Sequence, residues 1–182
     1  AGSRVIDTIA LSLRLLTWTL DVSNAFFHVP EDEPPREWLA AYRLEHPGAD
    51  VRWRGLTILY GRRKGPQMWT RWVAALLVDL GCVQCVVAPQ FFGHPTGVYN
   101  EIHMDDFHTA AALEAGLSFI AQLRSKVMLK VEVPHYPGST YSHLKRTREV
   151  YPHGVFLRAK ESLTDSIVNA LVSTPIINGI LC

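Results

Sequence analysis

The sequence predicts an α+β fold, an antiparallel sheet with helices packed against it, and three observations predict it. Apolar residues recur at helical spacing over 4–15, 66–80 and 110–123. Alternating runs rich in β-formers stand at 16–22 and 98–104, and further short strand-like runs follow residue 128. At 182 residues and 48% hydrophobic composition, the chain suits one domain with a core of its own.

Each element has a local cause. Val5, Ile6, Ile9, Leu13 and Leu16 follow Ser3, a natural N-cap, at helical spacing. In Leu-Thr-Trp-Thr-Leu-Asp-Val (16–22) apolar residues alternate with Thr and Asp, which predicts a strand carrying Asp21 on its polar face near its end. Pro30, Pro34 and Pro35, set among Glu31, Asp32 and Glu33, exclude a helix interior or central strand and predict an acidic surface loop. Short strands are expected at 38–44 and 51–60, divided by the turn-forming Pro47-Gly48-Ala49-Asp50. Pro66 fits the first turn of a helix whose residues Met68, Trp69, Trp72, Val73, Leu76, Leu77 and Leu80 share one broad face, with Gly81 as its stop.

Residues 98–104 read as a strand running into Asp105-Asp106, and 110–123 as the helix that returns from it. Beyond 128, strands are expected over 129–133, 141–144 and 155–157, then a helix over 162–171 ending before Pro175.

Composition narrows the function classes. A net charge of +1 with eight histidines neither requires nor excludes a nucleic-acid partner. Three cysteines leave an odd thiol in any disulfide scheme, and no signal peptide opens the chain, so a reducing intracellular setting, cytoplasm or nucleus, is expected. The apolar stretch 6–20 is broken by Asp7, Ser12 and Arg14, so no membrane span is expected. With no initiator methionine, the chain reads as part of something longer. Cys82-x-x-Cys85 has the spacing of half a zinc site without a second pair, and burial at a helix end is the stronger expectation. Histidines 94, 103, 108, 135, 143 and 153 lack metal-ligand spacing and are expected at the surface or in turns. Trp69 and Trp72 are expected in the core rather than stacked on bases. Hydrolase, phosphate-loop and dinucleotide motifs do not occur.

The chemistry-bearing pattern is three carboxylates: Asp21 at one strand end, and Asp105-Asp106 after another. Side by side they would repel one another unless a cation neutralised them, and oxygen-rich sites suit hard divalent ions. By spacing alone, helix and turn capping is the stronger expectation for such residues. The flanking sequence reverses that order.

Leu-Asp-Val-Ser-Asn-Ala-Phe-Phe-His-Val-Pro (20–30) resembles the first catalytic motif of reverse transcriptases, an Asp followed five positions on by an aromatic. Ile-His-Met-Asp-Asp-Phe (102–107) is similar to the second, the Tyr-x-Asp-Asp hairpin. Leu-Tyr-Gly-Arg-Arg-Lys-Gly-Pro-Gln-Met-Trp (59–69) looks like the segment between them in copia-type retrotransposons. The resemblance covers most of the chain, through Gly81-Cys82 and Pro89-Gln90-Phe91-Phe92, and weakens after Lys130.

This resemblance implies a partial palm domain over 1–182, with finger remnants near 31–62 and without thumb or ribonuclease H. It implies an RNA-directed DNA polymerase that extends a primer on an RNA or DNA template from deoxynucleoside triphosphates, with two magnesium or manganese ions. Asp21, Asp105 and Asp106 would be catalytic and hold the metals. Val22, Asn24, Ala25, Phe26, Lys64, Gly65, His103 and Met104 would line the substrate site, with Phe26 as the aromatic gate against a ribose 2′-hydroxyl. Arg62, Arg63 and Lys64 offer three cations to phosphate. The run 145–148 falls at the primer-grip position, though a charged strand edge is the stronger reading of it. Two departures stand out: His103 where the family has Tyr, and Lys64 where Gln is more usual. The competing reading is a remnant of the same fold that binds nucleic acid or protein without catalysis.

Overall fold

Helix α1 (Ser3–Leu13) turns through Arg14, at φ 54°, into strand β1 (Leu16–Val22). A computed structural model describes residues 3–31, 47, 56–159, and 162, 165, 166, 169, 176, 177, 180 and 181. After a 3₁₀ turn at Ala25–His28 come α2 (Gly65–Asp79), β2 (Val83–Gln84), β3 (Phe91–His94), β4 (Val98–His103), β5 (Asp106–Ala111) and α3 (Leu113–Arg124). Strand β6 (Leu129–Val131) precedes β7 (Thr140–His143), β8 (Arg146–Tyr151) and β9 (Gly154–Ala159), and a short pair, β10 (Ile176–Ile177) and β11 (Ile180–Leu181), follows. The α+β class expected from the sequence is what the chain adopts.

The main sheet has six strands in the order β2-β3-β4-β5-β1-β6, each pair antiparallel. Strand periodicity gives β1 two unlike faces. Trp18, Leu20 and Val22 join Phe107 and Val98 in the main core, against Trp69, Val73 and Leu77 of α2 and Phe119, Ile120 and Leu123 of α3. Gly116 lets α3 approach this closely, since a Cβ there would stand 2.6 Å from the Trp18 ring. Helix α2 ends as its sequence predicts: Gly81 takes φ 90°, while the Gly81 and Cys82 amides donate to Val78 and Leu77 carbonyls.

The opposite face carries Thr17, Thr19 and Asp21. One end is covered by α1, where Ile6 and Ala10 pack on Ala110. The β7-β8-β9 sheet binds this face through buried polar groups. Arg148, fully buried, donates from Nε to Asp7 at 3.3 Å and from Nη1 to the His143 carbonyl at 3.0 Å. The Tyr141 hydroxyl lies 3.0 Å from His108 Nε2, and the His135 ring stacks on Tyr141 at 3.6 Å.

Several expectations are corrected here. The segment 106–111 is a strand and α3 begins only at Leu113, because Phe107, Thr109 and Ala111 alternate into the core face while Asp106 and His108 face the other way. In α1 the buried residues are Ile6, Asp7 and Ala10, whereas Val5 and Leu13 are exposed. Strands β2, β3 and β8 were not expected. Histidines 108, 135 and 143 are buried rather than superficial, and Arg148 is buried rather than part of a charged edge. Glu31 is buried against Arg62 instead of lying in a surface loop. The predicted strand 38–44, the turn residues 48–50 and positions 51–55 lie outside the described residues. Within 56–60 only an isolated bridge, Thr57 with Pro30, forms. Four described positions of the 162–171 segment (162, 165, 166 and 169) are helical. Among the described residues, no helix is long and apolar enough to cross a membrane.

The buried histidines give the fold a readable acid response. Burial, the main cause, lowers His135 and His143 to about 4, and drives His108 well below its ordinary value, with positive Arg148 acting in the same direction on all three. A folded-state pKa below the unfolded value means the unfolded chain binds more protons, so this contribution to stability is lost as pH falls from about 6.5 toward 4. Burial raises Asp7 and Glu101 and so works in the opposite sense. The histidine part is therefore read by difference. The stability of the wild type relative to His143→Gln, from urea melts, is expected to be constant above pH 6.5 and to shrink below it, by on the order of 1–3 kcal/mol at pH 4.

Candidate functional site

Antiparallel pairing brings the three acidic residues together. Asp21, near the end of β1, is the register partner of Asp106, the first residue of β5, so both side chains leave the same face. Asp105 sits in the two-residue loop between β4 and β5, and its carbonyl oxygen accepts a 2.9 Å bond from the Val22 amide. Two acidic segments more than eighty residues apart in the chain thus meet where the central strands β1 and β5 pair.

The electrostatics record that proximity. The Asp106 carboxyl is raised above its usual value, first by burial, then by the negative charges of Asp105 and Asp21, with His103 opposing. Asp21 is half-exposed and pairs with Lys130 at 3.3 Å, a contact so open to water that it is weak. Beside Asp21 and Asp106 lies a cavity of about 430 Å³, bounded also by Lys130, Glu132, His143 and Lys145. The tip of the β7-β8 hairpin forms one wall, with Leu144 and Lys145 both in left-handed backbone (φ 50° and 60°), a conformation that favours Asn-Gly.

The loop after β1 is shaped by Asn24, a residue type that tolerates its left-handed conformation (φ 54°). Ala25 is buried, and the Phe26 ring lies against Tyr60 at 4.8 Å and next to Gly65, where a Cβ would come within 3.6 Å of it. Phe26 and Gly65 are therefore neighbours. Lys64, His103 and Met104 are all exposed. The Val22 amide is committed to the Asp105 carbonyl, so it is not available to a triphosphate. Of the three cations at 62–64, Arg62 is held by Glu31, while Arg63 and Lys64 remain exposed.

Among the described residues, no three His, Cys, Asp or Glu side chains are grouped as a ready metal cage. Magnesium does not need one: it is commonly held by one or two carboxylates, with water and substrate phosphate oxygens completing its shell. Asp21 and Asp106, paired in register with Asp105 adjacent, match that donor chemistry. Cys82 is buried and Cys85 partly so, burial pushes the Cys82 thiol up to about 11, and among the described residues neither is grouped with the further ligands that a structural zinc site needs.

Sequence reasoning missed the buried cluster behind this site. Its one legible signal was Asp7, placed three residues before Ala10 on the buried face of α1, where a carboxylate requires a polar partner. No family model matches this chain, and no curated protein matches it.

Proposed function

We propose that this chain is part of a reverse transcriptase of the copia type and that its acidic site supports RNA-directed DNA synthesis. The observation that carries the reading is the register pairing of Asp21 with Asp106, which joins two segments that separately resemble the two catalytic motifs of that family. In the reaction the primer 3′-oxygen forms a bond to the α-phosphorus of a deoxynucleotide, the bond to the β-phosphate bridge breaks, and pyrophosphate leaves.

Asp21 and Asp105, with Asp106 beside them, would hold the metal. When bound, a pair of divalent ions supplies activation of the attacking hydroxyl and stabilisation of the leaving oxygen. Arg63 and Lys64, exposed at the start of α2, would meet phosphate charge, while Arg62 stays with Glu31. Phe26, seated between Tyr60 and Gly65, would lie beneath the sugar.

Primer extension by the intact open reading frame on an RNA template tests the reading: synthesis that requires Mg²⁺ is expected, and none in Mg²⁺ or Mn²⁺ would overturn it. A non-catalytic, nucleic-acid-binding remnant is the second reading, favoured by His103 and Lys64 where the family has Tyr and Gln; template binding without synthesis would select it. Phe26→Ala is expected to raise ribonucleotide use relative to deoxynucleotide use by about tenfold or more, as loss of a steric barrier worth 1–2 kcal/mol would. Competition between labelled nucleotides measures this.

A further inference from the structure

Two tryptophans of the main core, Trp18 and Trp69, are fully buried, and their indole N–H groups fare differently. Trp18 Nε1 has no hydrogen-bond partner. Trp69 Nε1 donates to the Met104 carbonyl at 2.8 Å. That carbonyl belongs to the peptide unit directly before Asp105, and Met104 has a left-handed backbone (φ 58°) that a side-chain-bearing residue rarely adopts. Holding the carbonyl fixes the plane from which the Asp105 side chain departs.

The same helix reaches the other acidic segment. Trp72 stacks on Trp69 (centroids 5.6 Å apart) and on His28 (6.2 Å). His28 Nε2 lies 3.2 Å from the Ser23 carbonyl oxygen, two residues beyond Asp21, and 3.4 Å from the Met128 amide nitrogen. One ring nitrogen donates to the former or accepts from the latter according to its tautomer, and either bond anchors the loop that follows Asp21.

We propose that Trp69, backed by Trp72 and His28, is a positioning residue: its indole N–H sets the Met104–Asp105 peptide, and the stack ties that turn to the loop after Asp21, so helix α2 fixes the spacing of the carboxylates. This rests on the metal-binding role given to them above. The brace acts through backbone and touches neither substrate nor metal.

Trp69→Phe keeps an aromatic ring and removes the donor, while Trp18→Phe removes an indole N–H that bonds nothing and so controls for lost ring volume. In Trp69→Phe, Mn²⁺ binding to the chain, read by water-proton relaxation, is expected to weaken about tenfold or more, in the range that loss of an outer-shell partner produces. Exchange of the Val22 amide, which bonds Asp105, is expected to quicken about tenfold. Trp18→Phe should leave both within about twofold. Equal Mn²⁺ affinity and equal Val22 exchange in Trp69→Phe and wild type would overturn the proposal. So would equal losses in the two variants, or a wild-type Trp69 indole proton that exchanges as fast as an exposed one, a measurement that does not depend on a variant folding. Absence of primer extension by the intact wild type would instead defeat the polymerase reading, leaving Val22 exchange and the indole proton to judge the brace.

Discussion

Asp105→Asn is expected to lower primer extension on the order of 10³-fold, about 4 kcal/mol of transition-state stabilisation, with the thermal midpoint unchanged or raised. Asn is nearly isosteric with Asp and keeps hydrogen-bonding capacity, so the loop retains its shape while the site loses one charge. Asp105 is exposed and contributes little packing. Its negative charge is one cause of the raised Asp106 carboxyl, so removing it relieves repulsion and returns Asp106 toward its ordinary value. On the proposed role, in which Asp105 holds the metal, its charge costs the fold and serves the reaction, so stability and activity move in opposite directions. Steady-state extension beside calorimetry measures both; activity within threefold of wild type would remove Asp105 from the metal site.

Arg148→Ala is expected to destabilise the fold by about 3–5 kcal/mol, the effect of leaving buried charge without its partner. Arg148 is the guanidinium that faces Asp7 of α1, the His143 carbonyl of β7 and, at 5.8 Å, the Tyr141 ring. Its charge also lowers the Asp7 and Glu101 carboxyls against the dominant effect of burial, so its loss drives both further toward the protonated form. The double variant Asp7→Asn with Arg148→Met removes both charges and is expected to recover at least half of the loss, since apolar replacement of a whole buried pair is often close to neutral. Chemical denaturation at pH 7 compares the three proteins. A single-variant loss below about 1 kcal/mol would mean that water reaches Asp7 and that the β7-β8-β9 sheet is held by other contacts.

The parts of the fold legible in the sequence are those with a strong local period or a special backbone. Helix α2 was readable because Pro66 and Gly81 mark its ends and Trp69, Val73 and Leu77 repeat at four-residue spacing. Strand β1 matched its expected bounds of 16–22 because its alternation is unbroken. Strand β5 was hidden because Phe-His-Thr-Ala-Ala mixes polar and small residues that suit either state, and only the ladder with β1 and β4 decides it. In α1 the expected apolar set of Val5, Ile6, Ile9, Leu13 and Leu16 coincided with the packed face only in part: Ile6 is buried there with Asp7 and Ala10, Asp7 reaches the buried Arg148 guanidinium, and Val5 and Leu13 are left to solvent.

The sequence by itself determined which residues could form an acidic site: Asp21 at a strand end and Asp105-Asp106 after another strand, in flanks that resemble catalytic motifs. It also determined where α2 begins and ends, because capping and turn residues act over a few positions. Only the tertiary structure decided that Asp21 stands opposite Asp106 on neighbouring strands, that Arg62 is held by Glu31, and that Trp69 reaches Met104. Those facts depend on strand register and on contacts between residues far apart in the chain, and a local pattern of residues carries no information about either.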